Sequence, residues 1–298
     1  MMGLLSLVEG LSHVALRARG LRGRMIDTAV GRVHAYVGRG HGALPPVVMV
    51  HGIGSAAAPF APVIARVQEH VRAVIAPELP GHGWSAPPRG RLAPDTLFEV
   101  MGAVIDRLID EPAVVVGNSL GGAVALDYAR TRPEKVRALV LLSPAGARMS
   151  EDELEAVRRV FHLRSTADAI AFVERVYHRA PPGASWVAGD VRRQMGRAVV
   201  RELLANVRSD HGFDPDALRG LTMPVTLMWG RSERVLPASG LAYFRAHLPA
   251  HARVEEPEGV GHCPHLDRPG LVARRIVEAA ISGSALEGAR AHAGDPRA

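Results

Sequence analysis

The sequence predicts an α/β fold, a doubly wound and mostly parallel sheet with a helical cap inserted after its sixth strand. Three observations lead there. Short apolar, β-rich runs recur along the chain, helical patterns lie between them, and one long helical stretch interrupts the alternation. At 298 residues and 47% hydrophobic, the chain is long enough to bury a full core.

At the N-terminus Leu4, Leu5, Leu7, Val8, Leu11, Val14 and Ala15 recur at helical spacing, with Arg17, Arg19, Arg22 and Arg24 following, so residues 1–25 are predicted as an amphipathic helix. A secretory signal carries its positive charge before the apolar run, and Glu9 and His13 interrupt this one, so no signal peptide is predicted. Three roles stay open for the helix: packing on its own domain, contact with a membrane surface, or a dimer contact.

Arg32 to Val37 alternates as one arm of a hairpin. Val47 to Val50, Ala73 to Ala76, Ala113 to Val116 and Ala138 to Leu142 are continuously apolar, as strands buried on both faces of a parallel sheet are. Helical patterns at about Pro59 to His70, Thr96 to Ile109 and Gly121 to Arg130 separate them.

After Leu142 the pattern turns helical at Asp152 to Phe161, Ala167 to Tyr177 and Trp186 to Arg208, with a break at Pro181-Pro182-Gly183. This predicts a cap over residues 144–219. Its Met149, Phe161, Phe172, Tyr177, Trp186 and Met195 are expected to pack helix on helix rather than to touch substrate. Strand patterns return at Val225 to Trp229 and near Arg253 to Glu255, with closing helices at about Leu241 to His247 and Pro269 to Ser282. The core thus comprises residues 26–143 and 220–282. The tail, 283–298, is rich in Gly, Ala and Arg and is expected to be disordered.

The segment Gly117-Asn118-Ser119-Leu120-Gly121 stands directly after one buried strand and directly before a helix. Gly-x-Ser-x-Gly alone is a weak signal, but this context is specific: a nucleophilic serine needs a tight turn at a strand's C-terminal end, and small neighbours allow it. The helix N-terminus adds partial positive charge where an oxyanion would form. His51-Gly52-Ile53-Gly54 follows the Val47 strand in the same relation, so the backbone N–H groups of Ile53 and Leu120 are the candidate oxyanion donors. His51 is read as a brace for that turn, not as a base.

These motifs resemble those of the α/β-hydrolase superfamily over about Arg32 to Ser282. The resemblance implies a turn of structural importance at Glu78-Leu-Pro-Gly-His-Gly-Trp-Ser85, with His82 structural too and Glu78 where Asp is usual. It also implies the chain order Ser, acid, His. Trp229-Gly-Arg-Ser-Glu-Arg-Val-Leu-Pro237 is similar to the acid loop and puts Glu233 where Asp is commonest, so the extra methylene requires the loop to sit slightly back. Asp210, Asp214 and Asp216 precede the strand and fall at its wrong end. Gly259-Val-Gly-His-Cys-Pro-His-Leu-Asp267 is similar to the histidine loop, with His262 catalytic, His265 a decoy and Asp267 a brace. The implied catalytic set is therefore Ser119, Glu233 and His262.

That set implies a carboxylic ester hydrolase, an esterase or lipase acting through an acyl-enzyme, with a small-molecule ester or lipid as substrate and no cofactor or metal. Ser143 to Gly146 and Arg234 to Gly240 resemble monoacylglycerol-lipase-like members, which suggests an acyl-glycerol or similar lipid ester. Two alternatives stay open. One is a carbon-carbon bond hydrolase of the meta-cleavage type, although that group typically carries Trp after the catalytic histidine, where this chain has Cys263. The other is a non-catalytic ligand-binding protein that kept the fold.

Net charge is +6 and the pI about 10.3, yet the 36 basic residues, of which only Lys135 is lysine, are spread along the chain and aromatics are sparse. This argues against a nucleic-acid partner. Cys263 is the single cysteine, which excludes an internal disulfide and a thiolate metal cluster. A cytoplasmic location is expected, with association at a membrane surface left open through the N-terminal helix. Oligomeric state is left open as well.

Overall fold

The structure, a computed structural model, describes residues 4–293, and side chains within 10–284. The apolar pattern read at Leu4, Leu5, Leu7 and Val8 therefore lies outside the described side chains, and residues 294–298 of the tail lie outside the described residues.

The chain opens with α1 (Leu4–Ala18), then β1 (Arg22–Thr28), β2 (Gly31–Arg39) and β3 (Val47–Val50). The first half continues with α2 (Ala61–Val67), β4 (Ala73–Pro77), α3 (Pro94–Asp106), β5 (Ala113–Asn118), α4 (Leu120–Thr131) and β6 (Val136–Leu142). Five helices follow without a strand: α5 (Glu151–Phe161), α6 (Thr166–Val176), α7 (Ala184–Met195), α8 (Ala198–Asn206) and α9 (Pro215–Arg219). The chain then returns to the sheet with β7 (Val225–Met228), α10 (Ala238–His247), β8 (Arg253–Glu255), the short α11 (Pro264–Asp267) and α12 (Pro269–Ala293).

All eight strands form one sheet in the order β1-β2-β4-β3-β5-β6-β7-β8. β1 and β2 are an antiparallel hairpin and β2 meets β4 antiparallel; the remaining pairings are parallel. Alternate residues of the central strands serve two cores. Val48, Val50, Val115, Leu139 and Leu141 pack with α3, α4, α10 and the helices of the insertion. Val47, Met49, Val114, Val116 and Val140 pack with α2, α12 and Leu16 of α1 on the other face. Burial on both faces is why these strands read as unbroken apolar runs. The parallel strands β3, β5, β6 and β7 all end at one edge of the sheet, and the helical insertion departs from β6 at that same edge, next to the loops that carry the candidate site.

Three sequence expectations are corrected. The N-terminal helix stops at Ala18, not near residue 25, because Gly20 turns the chain at φ 82° and Leu21 is buried, after which β1 pairs with β2 from Arg22↔Val37 to Thr28↔Gly31. Most of β1 is exposed, so it offers no apolar run to read. The patterned stretch from Trp186 to Arg208 is two helices, α7 and α8, broken at Gly196. Residues 283–293, expected to be disordered, continue α12; their four alanines, with Leu286 and Arg290, are strong helix formers.

Candidate active site

Ser119 stands between β5 and α4 with φ 52° and ψ −119°. A non-glycine residue in this region carries strain of roughly 1–3 kcal/mol that its surroundings must impose. They do so through hydrogen bonds: the Ser119 N–H donates to the Leu142 carbonyl (3.1 Å), and the Ser119 carbonyl accepts from Gly122 (2.8 Å) and Ala145 (2.9 Å). The flanking glycines are required by close approach. A Cβ on Gly117 would sit 2.1 Å from the Gly121 carbonyl oxygen, and one on Gly121 would sit 2.2 Å from that of Val50.

His262 and Glu233 come from loops after β8 and β7. The His262 Nδ1–H donates to Glu233 Oε2 at 2.8 Å, with both side chains almost wholly buried. That bond leaves Nε2 free to exchange a proton. The other carboxylate oxygen, Oε1, accepts from the N–H groups of Val235 (2.7 Å) and Leu236 (3.0 Å). Burial alone would raise the Glu233 pKa, but the attraction of His262 and these hydrogen bonds outweigh it and hold the carboxyl below its ordinary value. The extra methylene of Glu over Asp is thus accommodated by a loop that grips the far oxygen.

The histidine loop is tied down from two sides. Asn118 Nδ2 donates to the carbonyls of Leu142 (2.9 Å) and His262 (3.0 Å), which joins the serine turn to the histidine loop. Asp267 accepts from the Gly261 N–H (2.8 Å) and, across the insertion, from the His178 N–H (3.1 Å), the brace anticipated for it. His265 is buried apart from the pair, stacked on Phe60 at 4.2 Å between ring centroids.

Ile53 and Leu120 both line the space over Ser119. His51 shapes the Ile53 turn: its Nδ1–H donates to the Gly52 carbonyl (2.8 Å) and its Nε2 accepts from the Leu79 N–H (3.0 Å). Both ring nitrogens are thereby engaged, and burial lowers the His51 pKa, so the ring is a neutral brace. Glu78 accepts from the Ala57 (3.1 Å) and Trp84 (2.7 Å) N–H groups and from His34 (3.0 Å), which pins its own loop to the loop after β3 and to strand β2. His82 is buried and donates to the Pro80 carbonyl (3.0 Å).

The space over Ser119 has two lobes that share Ile53, Ser119 and Phe161. One, of about 120 Å³, runs beneath α3, α5 and α8. The other, of about 350 Å³, runs beside His262 toward α6, α7 and Ser12 of α1. Met149, Phe161, Phe172, Tyr177 and Met195, expected only to pack helix on helix, line these lobes as well, because the inner side of a cap is at once core and cavity wall. Trp186 does neither, being 76% exposed. Asp214 caps α9, and Asp210 and Asp216 are exposed on the insertion, away from the histidine. Sequence reasoning missed Asn118 as a tie; its position beside Ser119 was visible, but its partners were not. It also missed Ser12, which reaches the cavity from α1.

Comparison with known proteins gives this geometry its family. The model of the Alpha/beta hydrolase family matches residues 47–275. A pimeloyl-[acyl-carrier protein] methyl ester esterase of Aromatoleum aromaticum is 32% identical over 251 residues, 76% of this chain and 94% of that one. Among solved structures, carboxylesterase CesB of Bacillus subtilis superposes with TM-score 0.70 at 21% identity, covering 91% of this chain and 97% of its own. The 2-hydroxy-6-oxo-6-phenylhexa-2,4-dienoate hydrolase of a Rhodococcus strain superposes with TM-score 0.75 at 22% identity, covering 87% and 98%. The chain belongs to the alpha/beta hydrolase family. It is an enzyme of that family, a hydrolase of the esterase type.

Proposed function

We propose that Ser119, His262 and Glu233 hydrolyse a carboxylic ester through an acyl-enzyme. The observation that carries the reading is that a strained serine and a carboxylate-bound histidine line one apolar cavity. His262 Nε2 takes the Ser119 proton as Oγ attacks the carbonyl carbon, and Glu233 stabilises the imidazolium that forms. The N–H groups of Ile53 and Leu120 receive the oxyanion, each contributing on the order of 3 kcal/mol to the transition state. His262 then protonates the departing alkoxide, and water repeats the sequence to release the acid.

The reading is tested by comparing p-nitrophenyl esters with a dienone acid of the meta-cleavage type. Faster turnover of the esters is expected, and faster cleavage of the dienone's carbon-carbon bond would replace the esterase reading. Ser119→Ala abolishes either reaction if the nucleophile is right.

We also propose that α1 rests on a lipid surface. No described helix is long and apolar enough to cross a membrane. Leu16 anchors α1 to the domain, while Leu11 and Val14 are more than half exposed and the exposed Arg17 and Arg19 close the helix. Apolar and cationic groups together suit an anionic lipid surface. Co-flotation with anionic vesicles that is lost in a Leu11→Ser, Val14→Ser variant is expected; equal flotation of the two would remove the proposal.

A further inference from the structure

We infer that the two lobes divide the ester, with the acyl chain in the smaller lobe beneath α3, α5 and α8 and the alcohol in the larger lobe beside His262, so that the substrate is a short, unbranched acyl group on a bulky alcohol. The inference rests on the esterase reading above.

It follows from the four substituents of the tetrahedral carbon. One is Ser119 Oγ. A second is the oxyanion, which faces the N–H groups of Ile53 and Leu120. A third is the alkoxy oxygen, whose bond to carbon breaks as His262 Nε2 delivers a proton to it; it must therefore lie on the His262 side. His262 lines the larger lobe and not the smaller one. The acyl carbon chain is left with the remaining direction, where the smaller lobe opens past Leu120.

The chemistry of the walls agrees with this division. Leu97, Phe98, Ala123, Leu154, Val157 and Leu203 make the smaller lobe a hydrocarbon sleeve. The two arginines that also line it are already engaged, Arg158 with the carbonyls of Leu204 and Val207 (3.3 and 2.6 Å) and Arg208 with Asp210 (3.0 and 2.6 Å). The larger lobe adds hydroxyl and amide groups from Ser12, Ser55 and Gln194 to an apolar wall that includes Val191. Such a wall suits an alcohol that carries polar atoms. The volumes, about 120 against 350 Å³, make the acid the smaller half of the substrate.

The test uses isomeric esters with equally reactive leaving groups, octyl butyrate and butyl octanoate. The inference predicts a kcat/KM for octyl butyrate higher on the order of tenfold, since methylenes that find no room in the acyl lobe forfeit their burial. Phe98→Ala, which lengthens the smaller lobe, should raise kcat/KM for butyl octanoate relative to that for octyl butyrate. Val191→Phe, which narrows the larger lobe, should shift the ratio the opposite way, lowering octyl butyrate more than butyl octanoate. Labelling by a fluorophosphonate reports that each variant is folded and its serine competent. Preference for butyl octanoate, or a Phe98→Ala effect confined to the alcohol, would overturn the division of the lobes while leaving the esterase reading intact. No turnover of any ester together with no labelling of wild type would overturn the esterase reading and the division with it.

Discussion

Glu233 is the residue whose identity departs from the commoner aspartate, and its two oxygens have separate duties. One holds His262; the other is held by its own loop. Glu233→Gln preserves the shape but places an amide where the proposed mechanism needs a carboxylate to stabilise the imidazolium. A fall in kcat on the order of 10⁴ is expected, with KM changed far less. An unchanged rate would direct attention to another carboxylate. Asn118 has a different kind of duty, since its amide joins two carbonyls on separate loops. Asn118→Ala leaves both without that donor, and a loss of roughly 2 kcal/mol in chemical denaturation is expected together with a lower kcat. Ser119, Glu233, His262, Ile53 and Leu120 could be nominated from motifs because each follows a strand in a recognisable run. The amide of Asn118 could not, because its partners lie 24 and 144 residues away and only the fold brings them near.

Among the elements, the strand-turn-helix unit of β5 and α4 is the least tolerant. Gly121→Ala would drive a methyl group against the Val50 carbonyl on β3, and neither backbone can retreat without unpairing the sheet. A destabilisation of about 3 kcal/mol or more is expected, read as a lowered Tm alongside lost activity. Gly10→Ala, where an added Cβ meets nothing within 4 Å, serves as the control and should leave the Tm unlowered, or slightly raised because alanine is the better helix former in α1. The central strands were legible in the sequence because burial on both faces removes polar residues from them. β1 was not, because an exposed edge strand such as Arg22–Thr28 carries arginines and owes its conformation to pairing with β2. Ser150 with Glu153, and Ser165 with Asp168, form capping boxes that mark the starts of α5 and α6.

The whole molecule carries its histidines at a cost that depends on pH. Burial holds the pKa of both His82 and His265 down to about 3, so each is neutral in the folded state at any pH above that. In the unfolded chain they titrate near 6.5. Because the folded value is the lower one, the unfolded chain binds more protons below pH 6.5, and stability falls as the pH drops from about 6.5 toward 3. Each group contributes a slope of up to about 1.4 kcal/mol per pH unit in that window. Denaturation midpoints should therefore decline steeply between pH 6 and 4, and His265→Phe should flatten the decline; an equal slope in the variant would remove His265 from the account.

At the same scale, sheet, loops and insertion act together to bring Ser119 and His262 to one cavity, with Glu233 bound to His262, and the assignment of the nucleophile is the central claim. Trypsin releases residues 108–130 as one peptide, in which Ser119 is the only serine. Mass spectrometry of that peptide after reaction with a fluorophosphonate tests the claim most directly. The phosphonyl adduct is expected on Ser119 in the wild-type protein and nowhere in Ser119→Ala; an unmodified peptide, or an adduct of equal yield elsewhere in the Ser119→Ala chain, would contradict it.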